Sequence, residues 1–220
     1  MSDIFNEVDE EVRRERLHKL WERYYPLIIT VAVLIVVGIG GWRGYEYWIA
    51  QKAAAAGADF EAAVTLSEQG KHKEAIVAFD KVVAEAPKGY AGLARFRAAA
   101  AMAAATPDKP AEAVKAYDAL AADSTLGAVW QDLAALRAGM LLVDSAPLAD
   151  LKKRLDPISE PGRVYRHSAR ELLALAAWRV HDLKAAKHYI DLIAGDGETP
   201  PGTRQRIDVL SALIAGSGKS

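Results

Sequence analysis

The most uniform hydrophobic segment of the chain runs from Leu27 to Trp42, with the sequence LIITVAVLIVVGIGGW and no charged residue. An apolar helix needs about 17–25 residues to cross a bilayer, a length that this run reaches with Pro26 and the aromatic residues beyond it. Aromatic side chains favour the headgroup level of a membrane. Six flank the run, namely Trp21, Tyr24, Tyr25, Tyr45, Tyr47 and Trp48. The pattern predicts one transmembrane helix over residues 26–48.

Basic residues are distributed unevenly around this run. Five stand in the short flank before it, namely Arg13, Arg14, Arg16, Lys19 and Arg23. A flank of similar length after it contains two, Arg43 and Lys52. Because Lys and Arg accumulate on the cytoplasmic side of a span, we expect a cytoplasmic tail over residues 1–25 and an exported domain over residues 49–220.

A cleaved signal peptide is the alternative interpretation of the apolar run. Such a peptide has an apolar region of about 7–15 residues and a small-residue cleavage site close behind it. Here bulky and charged residues occupy positions 42–48, and the first run of small residues is Ala53 to Ala56. The sequence therefore favours a span that is retained.

Beyond the span, apolar residues recur at helical spacing without strand-like alternation, and alanine, the best helix former, is abundant. After the span, helices are predicted at residues 50–68, 72–86, 89–105, around 113–121, 126–143, 148–155, 183–193 and 201–215. A further long helix is predicted to follow the loop through Pro161 and Gly162 and to end near residue 180. For helix 126–143 the spacing predicts an inward face of Leu126, Val129, Trp130, Leu133, Leu136 and Met140. The helix beginning at Leu148 is expected to be short and to end at Pro157. The predicted fold class is all-α.

The predicted helices form pairs, and the first pair contains a recognisable spacing. Gly70, Ala75, Phe79 and Pro87 resemble the turn glycine, small residue, aromatic residue and terminal proline of the tetratricopeptide repeat. Partial matches follow in later pairs, at Ala113 and Tyr117 and then at Ala186. These residues are predicted to pack the helices of an α-solenoid. An irregular all-α domain with alanine-rich packing is the alternative.

Composition narrows the chemistry of the chain. The net charge is −1 and there is no cysteine, so the sequence indicates no nucleic-acid partner and excludes disulfides and thiol catalysis. The five histidines do not show the i, i+4 pairing of a helical zinc site, and no phosphate-binding loop or nucleophile elbow occurs. We therefore expect no enzyme activity, no catalytic residue, no cofactor, no metal and no small-molecule substrate.

Three features are candidates for interactions. Gly40 and Gly44 have the small-x-x-x-small spacing that allows close packing of membrane helices, although glycine is also common in such helices. The exposed face of the stacked helices is a candidate protein-binding surface, for which the sequence offers Arg95, Arg97, Lys115 and Arg137. The tail places Phe5, Val8, Val12, Leu20 and Trp21 near one helical face, which suits either a membrane surface or a partner, unless the tail is frayed.

In layout the chain resembles the bacterial YfgM-like proteins, and the segment GWRGYEYW at residues 41–48 and the repeat behind it contribute most to the resemblance. The tail resembles that of alphaproteobacterial members. The resemblance implies a single-pass inner-membrane protein with a periplasmic domain. It further implies association with membrane subunits of the Sec translocon and with a periplasmic chaperone or prolyl isomerase, in protein export or envelope biogenesis. A scaffold of another envelope complex, in cell division or cytochrome assembly, is the alternative.

Overall fold

The computed structural model describes residues 3–86 and 88–217. Within these residues the chain forms α-helices and no strand, which confirms the all-α prediction. The helices are α1 Asp3–Glu68, α2 His72–Glu85, α3 Lys88–Ala105, α4 Ala111–Ala121, α5 Ala128–Leu142, α6 Leu148–Ser159, α7 Arg166–Arg179, α8 Leu183–Ala194 and α9 Pro201–Ser217. The chain divides into two compact units, residues 1–54 and residues 55–220.

The first unit consists of α1 up to residue 54. The helix predicted from residue 50 to 68 is not separate, because α1 continues through residues 48–50, where no proline or glycine interrupts it. The segment Leu20–Glu68 of α1 contains a window with a mean hydropathy of 2.1, which is long and apolar enough to cross a membrane. Pro26 lies inside the helix, and its carbonyl oxygen accepts a hydrogen bond of 2.8 Å from the Thr30 hydroxyl. This helix is compatible with a single-pass membrane anchor.

The second unit stacks the end of α1 and helices α2 to α9 around three groups of buried apolar side chains. The first group contains Phe60, Ala63, Ala75, Phe79, Val82, Ala94, Ala98 and Ala101. The second contains Phe96, Ala99, Tyr117, Leu120, Ala134 and Ala138. The third includes Leu136, Leu151, Leu155, Ile158, Leu173, Ile190, Ile193, Ile207 and Leu210. Helices α3 and α5 each contribute to two groups, so the core continues from one helical pair to the next.

The predicted inward face of α5 is wrong at three positions. Val129, Trp130 and Met140 are 46%, 46% and 47% exposed. The residues buried on α5 are Asp132, Ala134, Leu136, Ala138 and Gly139. Because neighbours pack against α5 on both sides, mainly small residues and Leu136 lie at the contacts, and Trp130 and Met140 lie on the remaining outward side.

The sequence predicted that α6 ends at Pro157, but the helix continues to Ser159. A proline within the last turn removes one backbone hydrogen bond, which is a small loss at a helix end. Ile158 and Ser159 are buried, and the Ser159 carbonyl accepts a hydrogen bond of 2.8 Å from Nε of Arg170. Packing and this hydrogen bond therefore stabilise the extra turn.

Candidate interaction surface

The turn between α1 and α2 is built around Gly70. Its φ is +75°, a left-handed conformation that glycine adopts without a steric penalty. The backbone N–H of Lys71 donates to the Leu66 carbonyl at 3.0 Å, and that of Gly70 donates to the Ser67 carbonyl at 3.0 Å. These bonds satisfy the last carbonyls of α1 and reverse the chain for α2.

The other predicted packing residues of the first pair lie in the contact between its helices. Ala75 and Phe79 are both fully buried. The Phe79 ring lies 5.6 Å from that of Phe60, centroid to centroid, and the Phe60 ring lies 6.2 Å from that of Tyr90. Phe60 of α1 thus contacts a ring on α2 and a ring on α3, and Phe79 belongs to the same buried cluster as Ala94 and Ala98 of α3. Pro87 lies outside the described residues.

The partial matches in later pairs are also buried. Ala113 and Tyr117 are 1% and 5% exposed, and the Tyr117 ring contacts Phe96 of α3 at a centroid distance of 6.2 Å. Ala186 is fully buried on α8. The turn before α8 repeats the hydrogen bonds of the Gly70 turn, but His181 occupies its left-handed position with φ +60°.

Helices α3, α5 and α7 leave only narrow stripes exposed. Apart from Gly89 and Ala104 near the ends of α3 and Ala128 and Val129 at the start of α5, the exposed residues form one stripe on each helix. These stripes are Leu93, Arg97 and Ala100 on α3, Trp130, Arg137 and Met140 on α5, and Ser168, Leu175 and Trp178 on α7. Within each helix these positions recur at intervals of three, four or seven residues, so each set lies along one side. We call these three stripes together the odd-helix surface.

The stripes of neighbouring helices lie next to each other. The Phe96 ring of α3 lies 5.4 Å from that of Trp130 on α5. Beyond the other end of α5, a groove of about 420 Å³ opens between the turn that follows α5 and the C-terminal part of α7. Its lining consists of Val143, Asp144, Leu175, Trp178, Arg179 and His181. The odd-helix surface therefore combines exposed aromatic and aliphatic side chains with a recess able to accept an apolar side chain.

Two of the four cations proposed for the surface lie on it. Arg97 and Arg137 are exposed on the stripes of α3 and α5. Burial raises the pKa of Tyr117, and the charges of Arg137 and Arg97 oppose that effect, so both arginines lie near this tyrosine. Lys115 is exposed on α4, outside the stripes.

Arg95 is engaged within the repeat unit. Its Nη1 donates to Oδ2 of Asp123 at 2.5 Å. This bond, with further hydrogen bonds from the Thr125 hydroxyl and backbone N–H, lowers the pKa of Asp123 to about 2. Arg95 therefore stabilises the end of α4, and its guanidinium is not free to bind a partner.

Sequence reasoning missed a polar cluster around Asp196, between α8 and α9. Arg166 donates through Nε to Asp196 at 2.8 Å, and Arg170 donates through Nη1 at 3.1 Å. The hydrogen bond from Arg166, with that from the Glu198 backbone, keeps the pKa of Asp196 well below its usual range. Buried His167 lies beside the cluster and its Nδ1 is 3.2 Å from the Thr199 hydroxyl. No sequence spacing signals this site, because about thirty residues separate the arginines from their acceptor.

Two other predicted features lie in the first unit. At Gly40 and Gly44 an added Cβ would meet no atom within 4 Å, so both positions are open on the helix. Leu20 and Trp21 are exposed. The side chains of Phe5, Val8 and Val12 lie outside the described residues.

Among the described residues no group of three or more His, Cys, Asp or Glu is placed to hold a metal ion.

The paired helices, the glycine turn and the exposed stripes define a helical-repeat scaffold of the kind that binds proteins. The tetratricopeptide repeat-like domain family matches residues 18–172, more than half of the chain, and the chain belongs to this family. No curated protein and no solved structure matches the chain. The chain is therefore a protein-interaction module with a candidate membrane helix.

Proposed function

We propose that this protein is a single-pass inner-membrane protein of the YfgM-like type, with residues 1–25 in the cytoplasm, 26–48 in the membrane and 49–220 in the periplasm. Its repeat domain binds proteins of the export pathway, namely membrane subunits of the Sec translocon and a periplasmic chaperone or prolyl isomerase. The observation that carries the proposal is an apolar, aromatic-flanked helix directly before a tetratricopeptide repeat-like domain.

Charge and packing support the two halves of this proposal. The excess of Lys and Arg before the apolar run favours a cytoplasmic N-terminus. The open glycine face at Gly40 and Gly44 suits packing against another membrane helix. The odd-helix surface offers a second contact in the exported domain. Because both partners occupy one membrane plane, two weak contacts suffice for a stable association.

Reporter fusions test the topology. Alkaline phosphatase fused to the C-terminus should be active, and a fluorescent protein that matures only in the cytoplasm should remain dark there. Both reporters should give the reverse result when fused to the N-terminus. An active phosphatase at the N-terminus and a fluorescent C-terminus would overturn the proposed orientation.

Crosslinking in native membranes tests the partners. The full-length chain should crosslink to the Sec channel and to periplasmic folding factors, identified by mass spectrometry. Replacing Gly40 and Gly44 together with leucine should weaken the channel crosslink and leave the periplasmic crosslinks unchanged, because bulky side chains hold membrane helices apart. The matched control replaces Val33 and Val37 with leucine, which has the same spacing but adds little bulk.

The two outcomes of this experiment separate the alternatives. Loss of the channel crosslink in the Gly40 and Gly44 variant alone supports a specific helix contact. Capture of division or cytochrome-assembly proteins without any channel component would replace the export proposal with a scaffold in another envelope complex.

A further inference from the structure

Arg97 and Arg137 differ from the other arginines of the repeat unit. Among the described residues of that unit, the eight other arginines donate hydrogen bonds to carboxylates or backbone carbonyls. No described residue accepts a hydrogen bond from Arg97 or Arg137, and both side chains are exposed. The unit thus presents two guanidinium groups whose donors are available to another molecule.

These two arginines occupy corresponding places in successive helical pairs. Arg97 follows buried Phe96 on α3, and Arg137 follows buried Leu136 on α5. Each lies in the exposed stripe of its helix, and Tyr117 on the intervening α4 lies near both. The ring contact between Phe96 and Trp130 places the α3 and α5 stripes side by side. One acidic segment crossing α3 and α5 would therefore meet both guanidinium groups.

The groove beyond the end of α5 lies close to Arg137 of this basic pair. Asp144 follows Arg137 by seven positions and lies in the turn two residues after the end of α5. Seven residues of helix rise about 10 Å. Leu175 and Trp178 on α7 provide the apolar wall of the groove, and they are 36% and 37% exposed. Asp144 lies in the groove, where it would repel a second carboxylate. The surface is therefore basic at the Arg97 and Arg137 end. At the other end an apolar wall is combined with Asp144, Arg179 and His181, and Arg179 already donates to the Ala146 carbonyl.

We propose that the odd-helix surface binds an extended acidic–apolar segment of a partner protein, with its carboxylate side chains on Arg97 and Arg137 and an apolar side chain in the groove beside Trp178. An extended chain advances about 3.3 Å per residue, so the carboxylate and the apolar anchor are about three residues apart. Carboxylates pair with guanidinium groups in a fixed geometry. The proposal rests on the proposed function and names the chemistry of the segment that the exported domain recognises.

Fluorescence anisotropy with the purified full-length chain in detergent micelles tests the proposal. The probes are fluorescein-labelled peptides with amidated C-termini, in which a Glu-Glu pair and a Phe-Leu pair are separated by serines. The spacer length is varied around about three residues, and the pairs are placed in both orders. Matched peptides carry Gln-Gln or Lys-Lys instead of Glu-Glu, or Ser-Ser instead of Phe-Leu. At least one Glu-Glu peptide should bind about tenfold or more tightly than its Gln-Gln counterpart.

Protein variants assign the two ends of the segment. Replacing Arg97 and Arg137 together with glutamine should lower the affinity for the Glu-Glu peptide by about tenfold and leave the affinity for the Gln-Gln peptide unchanged. Trp178→Ala should lower the affinity for both peptides by a similar factor, because the apolar side chain of the peptide loses its contact with the Trp178 ring. The controls are Lys115→Gln, which removes an exposed cation outside the surface, and Val77→Ala, which removes an exposed apolar side chain on α2. Circular dichroism confirms that each variant retains its helices.

The results distinguish this proposal from the proposed function. Equal affinity of Glu-Glu and Gln-Gln peptides, absence of binding by every peptide, or equal losses in the Lys115→Gln and arginine variants would overturn the acidic segment. Peptide binding uses no translocon component, so it can succeed when crosslinking finds no channel. In that case the recognition chemistry stands and the export assignment falls. If the full-length chain crosslinked to the channel but bound the Glu-Glu and Gln-Gln peptides equally, the export assignment would stand and the acidic-segment proposal would fall.

Discussion

From the second pair onward, the first helices bury their residues in a different way from the second helices of the stack. Helix α2, a second helix, buries a single side at Ala75, Phe79 and Val82. Helix α7, a first helix, buries His167, Ala169, Arg170, Leu173, Ala174, Ala176 and Ala177. Neighbours enclose the first helices on both sides, and small residues allow that close approach. A second helix therefore has an ordinary amphipathic pattern, and a first helix has only one narrow stripe available for binding.

The difference explains where the candidate binding residues occur. On a second helix, the exposed positions are numerous and mainly polar, and packing does not limit which residue types occur there. On a first helix, the few exposed positions include Trp130, Met140, Leu175 and Trp178. Large apolar side chains left in water along a stripe are typical of a contact site. The comparison therefore supports the proposal that partners bind along α3, α5 and α7, and it leaves the second helices one side that packs on the core.

The largest effect is expected for the single buried side of α2. Phe79→Ala should lower the free energy of unfolding by about 3–5 kcal/mol, because it leaves a cavity between α1, α2 and α3. The matched control is Val77→Ala on the same helix, where the side chain is 70% exposed and the change should stay within about 0.5 kcal/mol. Urea unfolding of the full-length chain in mild detergent, followed by circular dichroism, measures both. Equal losses would show that α2 is not buried on one side only.

A smaller loss is expected where a first helix is closely enclosed. A Cβ at Gly139 of α5 would lie 2.8 Å from Cδ2 of Leu155, which is itself fully buried. Overpacking costs about 1–3 kcal/mol, and the better helix propensity of alanine offsets about 1 kcal/mol of this cost. Gly139→Ala should therefore be the less stable variant when it is compared with Gly89→Ala in the same unfolding experiment. Gly89→Ala on α3 is the control, since an added Cβ there meets no atom within 4 Å. A Gly139→Ala variant as stable as the Gly89→Ala control would contradict the close contact between α5 and α6.

The two similar turns between first and second helices should respond in opposite directions. His181 has φ +60° where the first turn has Gly70 with φ +75°. Left-handed backbone costs about 1–2 kcal/mol for a residue with a Cβ. His181→Gly should therefore raise the free energy of unfolding by about 1 kcal/mol, and Gly70→Ala should lower it by a similar amount. The same sign for both substitutions would show that the turns are not equivalent.

The smallest expected effect is the pH dependence that His167 contributes. Burial lowers its pKa, and the charges of Arg166 and Arg170 lower it further, against the opposing effect of Asp196 and Glu198. The unfolded chain therefore binds a proton more readily, so the stability contributed at neutral pH is lost as the pH falls below the ordinary value of about 6.5. His167→Asn should flatten this part of a stability–pH curve. His188→Asn, at an exposed histidine of α8, should leave it unchanged.

Local sequence patterns were sufficient to predict the helical class of the described residues and most helix boundaries to within a few residues. The exceptions are the end of α6 and the start of the helix predicted at residue 50, which is part of the continuous α1. They also located the candidate span and the turn at Gly70. Helical periodicity, apolar length and the conformational freedom of glycine are properties of neighbouring residues, so they can be recognised without knowledge of the fold. The apolar run from Leu27 and the spacing from Gly70 to Phe79 contained this information directly.

The tertiary structure decided which residues are buried, which cations are free and where the surface lies. Whether Trp130 and Met140 lie inward depends on how many neighbours enclose α5. Whether an arginine is available depends on a distant acceptor, as Asp123 is for Arg95 and as no described residue is for Arg97. The cluster at Asp196 likewise joins residues from separate helices. These features arise from contacts between segments far apart in the chain, and a pattern of neighbouring residues contains no information about such contacts.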